Sequence, residues 1–312
     1  MLRRGGAAVA FLAACVAMLQ VGDFPQVSQA SASSPAESET STLLRAQAPF
    51  GMAPERAITV HHTMLIPFGR RSISVPILMY HYIRPVPSMN RDWMGYRLSV
   101  SPANFHEQMD WLATNGYHAV DFNDLRAYFA GSRVLPDKPV VITLDDGYID
   151  LYTTAYPTLR SYNFKAVAYI VTSFVGESRY VTADQVVQMD RDGIQIASHT
   201  LNHADLARTS PYWVTYQLAT SKVWLERLVG HPVVDFAYPS GKFNSQVVYA
   251  LQTTGYDTAV TEMPGTVHSR DDRYTWTRVR VGGGESMADF AVRLGSEESP
   301  LVLTTINTGP GD

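Results

Sequence analysis

The chain has 312 residues, 46% of them hydrophobic, which suits one large domain or two small ones around a sizeable core. Its formal net charge is −4 and no Lys/Arg-rich patch interrupts it, which excludes a surface built for nucleic acid. Cys15 is the only cysteine, so no disulfide framework is expected.

In chain order, Arg3 and Arg4 precede an apolar run from residue 7 to about 21. The run is short for a membrane span and suits the core of a signal peptide. Ser28-Gln29-Ala30 offers small residues for cleavage, while Leu12-Ala13-Ala14-Cys15 is similar to a lipoprotein cleavage box. Residues 1–30 are therefore expected to be a signal peptide or N-terminal anchor. The protein is expected to be exported, either secreted or held at the outer face of the cytoplasmic membrane. Residues 31–57, rich in Ser, Ala, Pro, Thr and Glu without periodicity, read as a disordered linker. Residues 58–312 remain for a single domain.

Within that domain, residues 75–81 read as a buried strand followed by a loop with Pro85, Pro87 and Gly95. Ser101-Pro102 starts a helix that Asn115-Gly116 stops. A short strand near 118–120 leads to a helix over 123–129. The run Val140-Val141-Ile142-Thr143-Leu144 is a buried strand ending in Asp145-Asp146-Gly147-Tyr148. A helix over 151–162 and a strand over 166–171 follow, and Thr182 caps a helix over 183–189. Residues 194–198 form another strand, running into His199-Thr200-Leu201-Asn202-His203. Val214, Leu218, Ser221, Leu225 and Leu228 mark one face of a long helix. Strands over 233–237, 256–260 and 278–281 alternate with helices over 245–253 and 287–294. Such alternation gives parallel β/α architecture, whose sites lie at the C-terminal ends of strands.

Two strand ends carry the chemistry. Asp145 and Asp146 are adjacent like charges that need compensation, and a cation is the usual one. His199 and His203, four apart, share a face if the chain turns helically after the strand. With one carboxylate they make the two-histidine, one-carboxylate set of a catalytic Zn²⁺ or similar ion.

Thr-Leu-Asp-Asp-Gly-Tyr followed by His-Thr-x-x-His resembles the polysaccharide deacetylase family (carbohydrate esterase family four), over roughly residues 75–294. The resemblance implies a distorted (β/α) barrel of about seven strands. It makes Asp145 the general base and Asp146, His199 and His203 the ligands of one divalent ion, Zn²⁺ foremost, with Co²⁺ or Ni²⁺ accepting the same set. The motif layout is most similar to that of extracellular poly-N-acetylglucosamine deacetylases. It implies removal of N-acetyl groups from an acetylated amino-sugar polymer: peptidoglycan, poly-N-acetylglucosamine or a chitin-like chain.

The sequence departs from the family pattern at three points. Phe236-Ala237-Tyr238-Pro239-Ser240-Gly241 has Ala237 where the family usually has the arginine that contacts the base, and Ser240 where an aromatic is usual. The Leu-x-His that supplies the family's general acid is absent from residues 301–305, so His81, closing the first strand, is the expected acid. Tyr148, Tyr238, Pro239 and Ser240 are expected near the substrate, with a backbone N–H of the Pro239 turn facing an oxyanion. Trp276 is a candidate for stacking on a sugar, and Arg278 and Asp272 for the groove or its support. The loops 84–97 and 174–180 are the expected groove walls. An O-acetyl xylan esterase, or a carbohydrate-binding protein without catalysis, remain as alternatives on the same scaffold.

Overall fold

A computed structural model describes residues 72–294. The expected signal segment and linker, Cys15 and residues 301–305 lie outside the described residues. Seven parallel strands carry the fold: β1 (Ile77–Tyr80), β2 (Pro139–Leu144), β3 (Ala166–Ile170), β4 (Ile194–Ser198), β5 (Asp235–Ala237), β6 (Thr258–Pro264) and β7 (Trp276–Arg280). β1 pairs with both β2 and β7, so the sheet closes into a barrel. It is a distorted one. β3 pairs with β2 only at Thr143 and Leu144, while the two-residue strand His118–Ala119 takes the start of β2. The β6–β7 register shifts between Val260 and Pro264.

The strands are apolar on both faces because both faces are covered. Val140, Ile142 and Leu144 of β2 pack outward under the helices with Leu78, Tyr80, Ala168, Ile170 and Ile196. Val141 points into the barrel with Ile77, Val167, Tyr169, Ala197, Ala237 and Val260. Phe122 and Trp276 stack on each other in the same interior cluster, and Leu125 joins them.

Helices start where side chains satisfy orphan amides. Ser101 accepts from Asn104 N–H ahead of Pro102–Thr114, and Asp121 and Thr182 form capping boxes for Phe122–Phe129 and Ala183–Arg191. Two expectations are corrected. The stretch 151–162 divides into a wide π turn over Leu151–Ala155 and an α-helix over Tyr156–Ser161, because Pro157 lacks an N–H and crowds the preceding turn. The loop after β1 contains an unexpected helix, Trp93–Leu98, which Asp92 caps by accepting from Gly95 N–H. Among the described residues no helix is long and apolar enough to cross a membrane.

Candidate active site

Side chains alternate along a strand, so the residue two beyond an inward position also points inward. From Val141 the inward series on β2 runs through Thr143 to Asp145; from Ala197 on β4 it runs to His199. From Ile77 on β1 it runs through Met79 to His81, and from Trp276 on β7 to Arg278. One period-2 rule thus delivers four polar groups to one end of the barrel. All four are buried.

Arg278 decides the state of Asp145. Its Nη1 and Nη2 donate to the two carboxylate oxygens at 2.8 Å each, and its Nε donates to the Thr261 carbonyl at 2.8 Å. Nη1 also donates to Thr143 Oγ1 at 3.1 Å. Burial alone would raise the Asp145 pKa; the Arg278 guanidinium overrides it and holds the carboxyl below its ordinary value. Ala237 is fully buried in the barrel interior, and β7 supplies the guanidinium that β5 lacks. The Ala237 carbonyl has its own task, accepting from His199 Nδ1 at 2.8 Å.

That bond leaves His199 Nε2 facing Asp146 at 3.4 Å, and His203 Nε2 lies 3.5 Å from the same Asp146 oxygen. Asp146 Oδ1 is buried, and no hydrogen bond reaches it. One ligand atom from each of Asp146, His199 and His203 lies within 4.8 Å of the others, the sole such cluster among the described residues. A bare oxygen facing two imidazole nitrogens, with an outer hydrogen bond fixing one tautomer, fits a divalent cation. Burial opposes charge on His199, yet the neighbouring carboxylates raise its pKa; on His203 burial prevails and lowers it. The Asp146 carboxyl resists burial and is held far below its ordinary value, foremost by His199.

The turn between the histidines is not helical, which corrects that expectation. Thr200 and His203 adopt φ of 70° and 60°, and Thr200 Oγ1 accepts from His203 N–H at 2.9 Å. The ring centroids still meet, 4.9 Å apart. Asp146 at φ 76° and Ser240 at φ 53° are also left-handed, so the turns after β2, β4 and β5 each hold a strained residue.

His81 Nε2 stands 3.8 Å from Asp145 Oδ2, and its Nδ1 is buried without a hydrogen-bond partner. Burial lowers its pKa despite the two carboxylates, so the imidazole rests neutral near pH 7. An aromatic row draws Tyr148 together with residues at or beside the two expected walls. Tyr148 stacks between Tyr82, with centroids 3.7 Å apart, and Tyr180, at 5.1 Å; Phe174 continues the row at 4.8 Å from Tyr180. Arg84 caps the row 3.5 Å from the Tyr82 centroid. Burial, then the Asp146 charge, pushes the Tyr148 hydroxyl up, so it remains a donor. Tyr82 and Tyr180 went unselected in the sequence. Their only signal was an aromatic beside His81 and another inside an expected wall.

Other candidates lie elsewhere. Trp276 is 1% exposed; its indole N–H donates to the Ser269 carbonyl and to Asp272, and Phe122, Phe129 and His268 surround its ring. It has no face to offer a sugar, which corrects that expectation, and Asp272 serves its indole. Tyr238 is buried, donates to the Tyr274 carbonyl and stacks on Phe243, so its side chain supports the turn from behind. Pro239 is buried with it. In this turn Pro239 has no N–H, and those of Gly241 and Lys242 bond back to Tyr238 and Pro239. Ser240, exposed, carries the turn's remaining amide.

Comparison with known proteins bears on this geometry. The polysaccharide deacetylase family profile matches residues 132–259. YxkH of Bacillus subtilis (strain 168), whose name is that of a polysaccharide deacetylase, is 32% identical over 222 residues, 71% of this chain and 76% of that protein. The poly-beta-1,6-N-acetyl-D-glucosamine N-deacetylase of Escherichia coli (strain K12) is 26% identical over 255 residues, covering 67% of this chain and 38% of that longer protein. Among solved structures, the Streptococcus pyogenes deacetylase PplD in complex with acetate superposes with a TM-score of 0.66 at 28% identity, over 72% of this chain and 99% of that one.

Proposed function

The chain belongs to the polysaccharide deacetylase family, and on that premise we propose that it hydrolyses N-acetyl groups of an N-acetylglucosamine-containing polymer, releasing acetate. The observation that supports this most is a buried carboxylate outside the ligand cluster, Asp145, braced by Arg278 beside Asp146, His199 and His203.

Asp146, His199 and His203 would hold one divalent cation, Zn²⁺ foremost, with Co²⁺ or Ni²⁺ accepting the same donors. Such an ion, when bound, polarises a carbonyl and acidifies a water. Asp145, held ionised by Arg278, accepts the proton of the attacking water. Arg278 also fixes the carboxylate plane, which leaves fewer orientations to search. The Ser240 N–H is the turn's donor for the oxyanion. His81 rests neutral, so it must gain a proton before giving one, and Asp145 at 3.8 Å is the neighbouring carrier. Its recipient is the amine nitrogen, a poor leaving group until protonated. The row Tyr82–Tyr148–Tyr180 walls the acetyl-bearing sugar. The reaction belongs outside the cytoplasm, with residues 1–30 as signal peptide or anchor and 31–57 as linker.

Acetate release from metal-loaded protein tests the reading. Asp145→Asn is expected to lose at least about 10²-fold in rate, the lower range for a missing acid–base group. Wild-type turnover by that variant would refute the base assignment. His81→Ala is expected to lose a similar factor on an N-acetyl amide and much less on an aryl acetate, whose phenolate leaves unaided. Equal losses on both would move the acid elsewhere.

A further inference from the structure

The helix Pro211–Val229 buries Val214, Gln217, Leu218, Ser221 and Leu225 and turns three aromatics outward at its start. Tyr212 is 61% exposed, Trp213 53% and Tyr216 43%. Burial for packing is the ordinary fate of such residues, so a contiguous exposed group of them marks an interaction surface. The three form one cluster: Tyr212 meets Trp213 edge-to-face at 5.2 Å, and Trp213 meets Tyr216 at 5.3 Å.

Gln217, one turn after Trp213, anchors this helix to the active site. Its Oε1 accepts from the backbone N–H groups of Leu201 and Asn202, inside the turn joining His199 to His203. The start of this helix, which carries the cluster, therefore adjoins the turn that bears the two histidines. Its chemistry narrows the occupant. The helix carries no charged residue before Lys222, so the cluster itself offers no charge to a polyanion or an anionic lipid surface. Trp and Tyr each join an apolar ring to a polar edge. A pyranose has the matching form, an apolar C–H face rimmed by hydroxyls. The acetylated polymer bound in the site also has to leave it across the rim.

We propose that Tyr212, Trp213 and Tyr216 form a second sugar-binding surface that holds the polymer some units away from the acetyl group being removed. This rests on the reading of the site as a glycan deacetylase. The surface makes the enzyme prefer long chains over short ones without touching the reacting atoms.

The test compares metal-loaded wild type with Trp213→Ala/Tyr216→Ala on acetylated poly-N-acetylglucosamine and on a small aryl acetate. The ratio of polymer to ester kcat/KM is expected to fall about ten-fold, as expected from losing two ring contacts, with the change in KM for the polymer. Trp213→Phe/Tyr216→Phe, which keeps both rings, is expected to restore most of it. An unchanged ratio, whether both activities drop together or neither does, overturns the proposal. Co-sedimentation with the insoluble polymer requires no turnover and separates the two claims. If wild type releases no acetate yet sediments through Trp213 and Tyr216, the deacetylase reading fails and the surface stands. If the alanine variant sediments as wild type does, the surface fails.

Discussion

A buried carboxylate and a buried guanidinium 133 positions apart in sequence set the character of the site. Such pairs gain little over apolar residues of the same shape, but halving one leaves an uncompensated buried charge. Arg278→Met is therefore expected to cost about 3–5 kcal/mol in denaturant unfolding as well as activity. Arg278→Met/Asp145→Leu is expected to recover most of that stability and none of the activity; an Arg278→Met protein as stable as wild type would contradict the pairing. Asp145, Asp146, His199 and His203 were legible because each motif sits beside a strand whose apolar pattern fixes where it ends. The role of Arg278 was not. Its strand marked it only as a groove or supporting residue, because the partner comes from the opposite end of the domain and from no local pattern.

At the scale of elements, the alternation of strands and helices was readable from hydrophobic runs and caps, and the structure follows it. The exceptions have local causes: Pro157 widens a helix into a π turn, and Asp92 starts a short helix inside a presumed loop. The left-handed Thr200 and His203 left no trace in the sequence, since neither residue type favours that conformation enough to announce it. His268 shows how an element reports on pH. It lies in the short strand Val267–Ser269, is 1% exposed, and donates from Nε2 to the Val75 carbonyl. Burial lowers its pKa although Val75 and Asp272 favour the charged form. A histidine whose folded pKa lies below the unfolded value of about 6.5 contributes stability that is complete above that value and lost as pH falls through it. Unfolding free energy between pH 7 and 5 is thus expected to fall more steeply in wild type than in His268→Gln. Parallel slopes would show that His268 protonates equally well in both states.

Across the whole molecule the barrel separates two jobs. The C-terminal ends of the strands hold the site, while the start of β5 holds Asp235, buried and bonded by Arg126, Gln195 and Thr258. Burial raises the Asp235 pKa even against Arg126. In barrels of this kind the N-terminal face carries stability. Arg126→Ala is expected to lower the unfolding midpoint and to leave kcat on an acetylated substrate unchanged. A variant with native stability and impaired kcat would reverse that division. The closed seven-strand barrel came from the resemblance; strand–helix alternation alone leaves closed and open sheets equal, and only the pairing of β1 with both β2 and β7 closes it.

The proposed reaction requires Asp146, His199 and His203 to grip one cation while Asp145 stays off it. Calorimetric titration of chelator-treated protein with Zn²⁺ measures this directly. One ion per chain is predicted for wild type and for Asp145→Asn, with binding abolished in Asp146→Ala and His199→Ala. Stoichiometric binding that survives in Asp146→Ala and His199→Ala, or no binding by wild type, would contradict it.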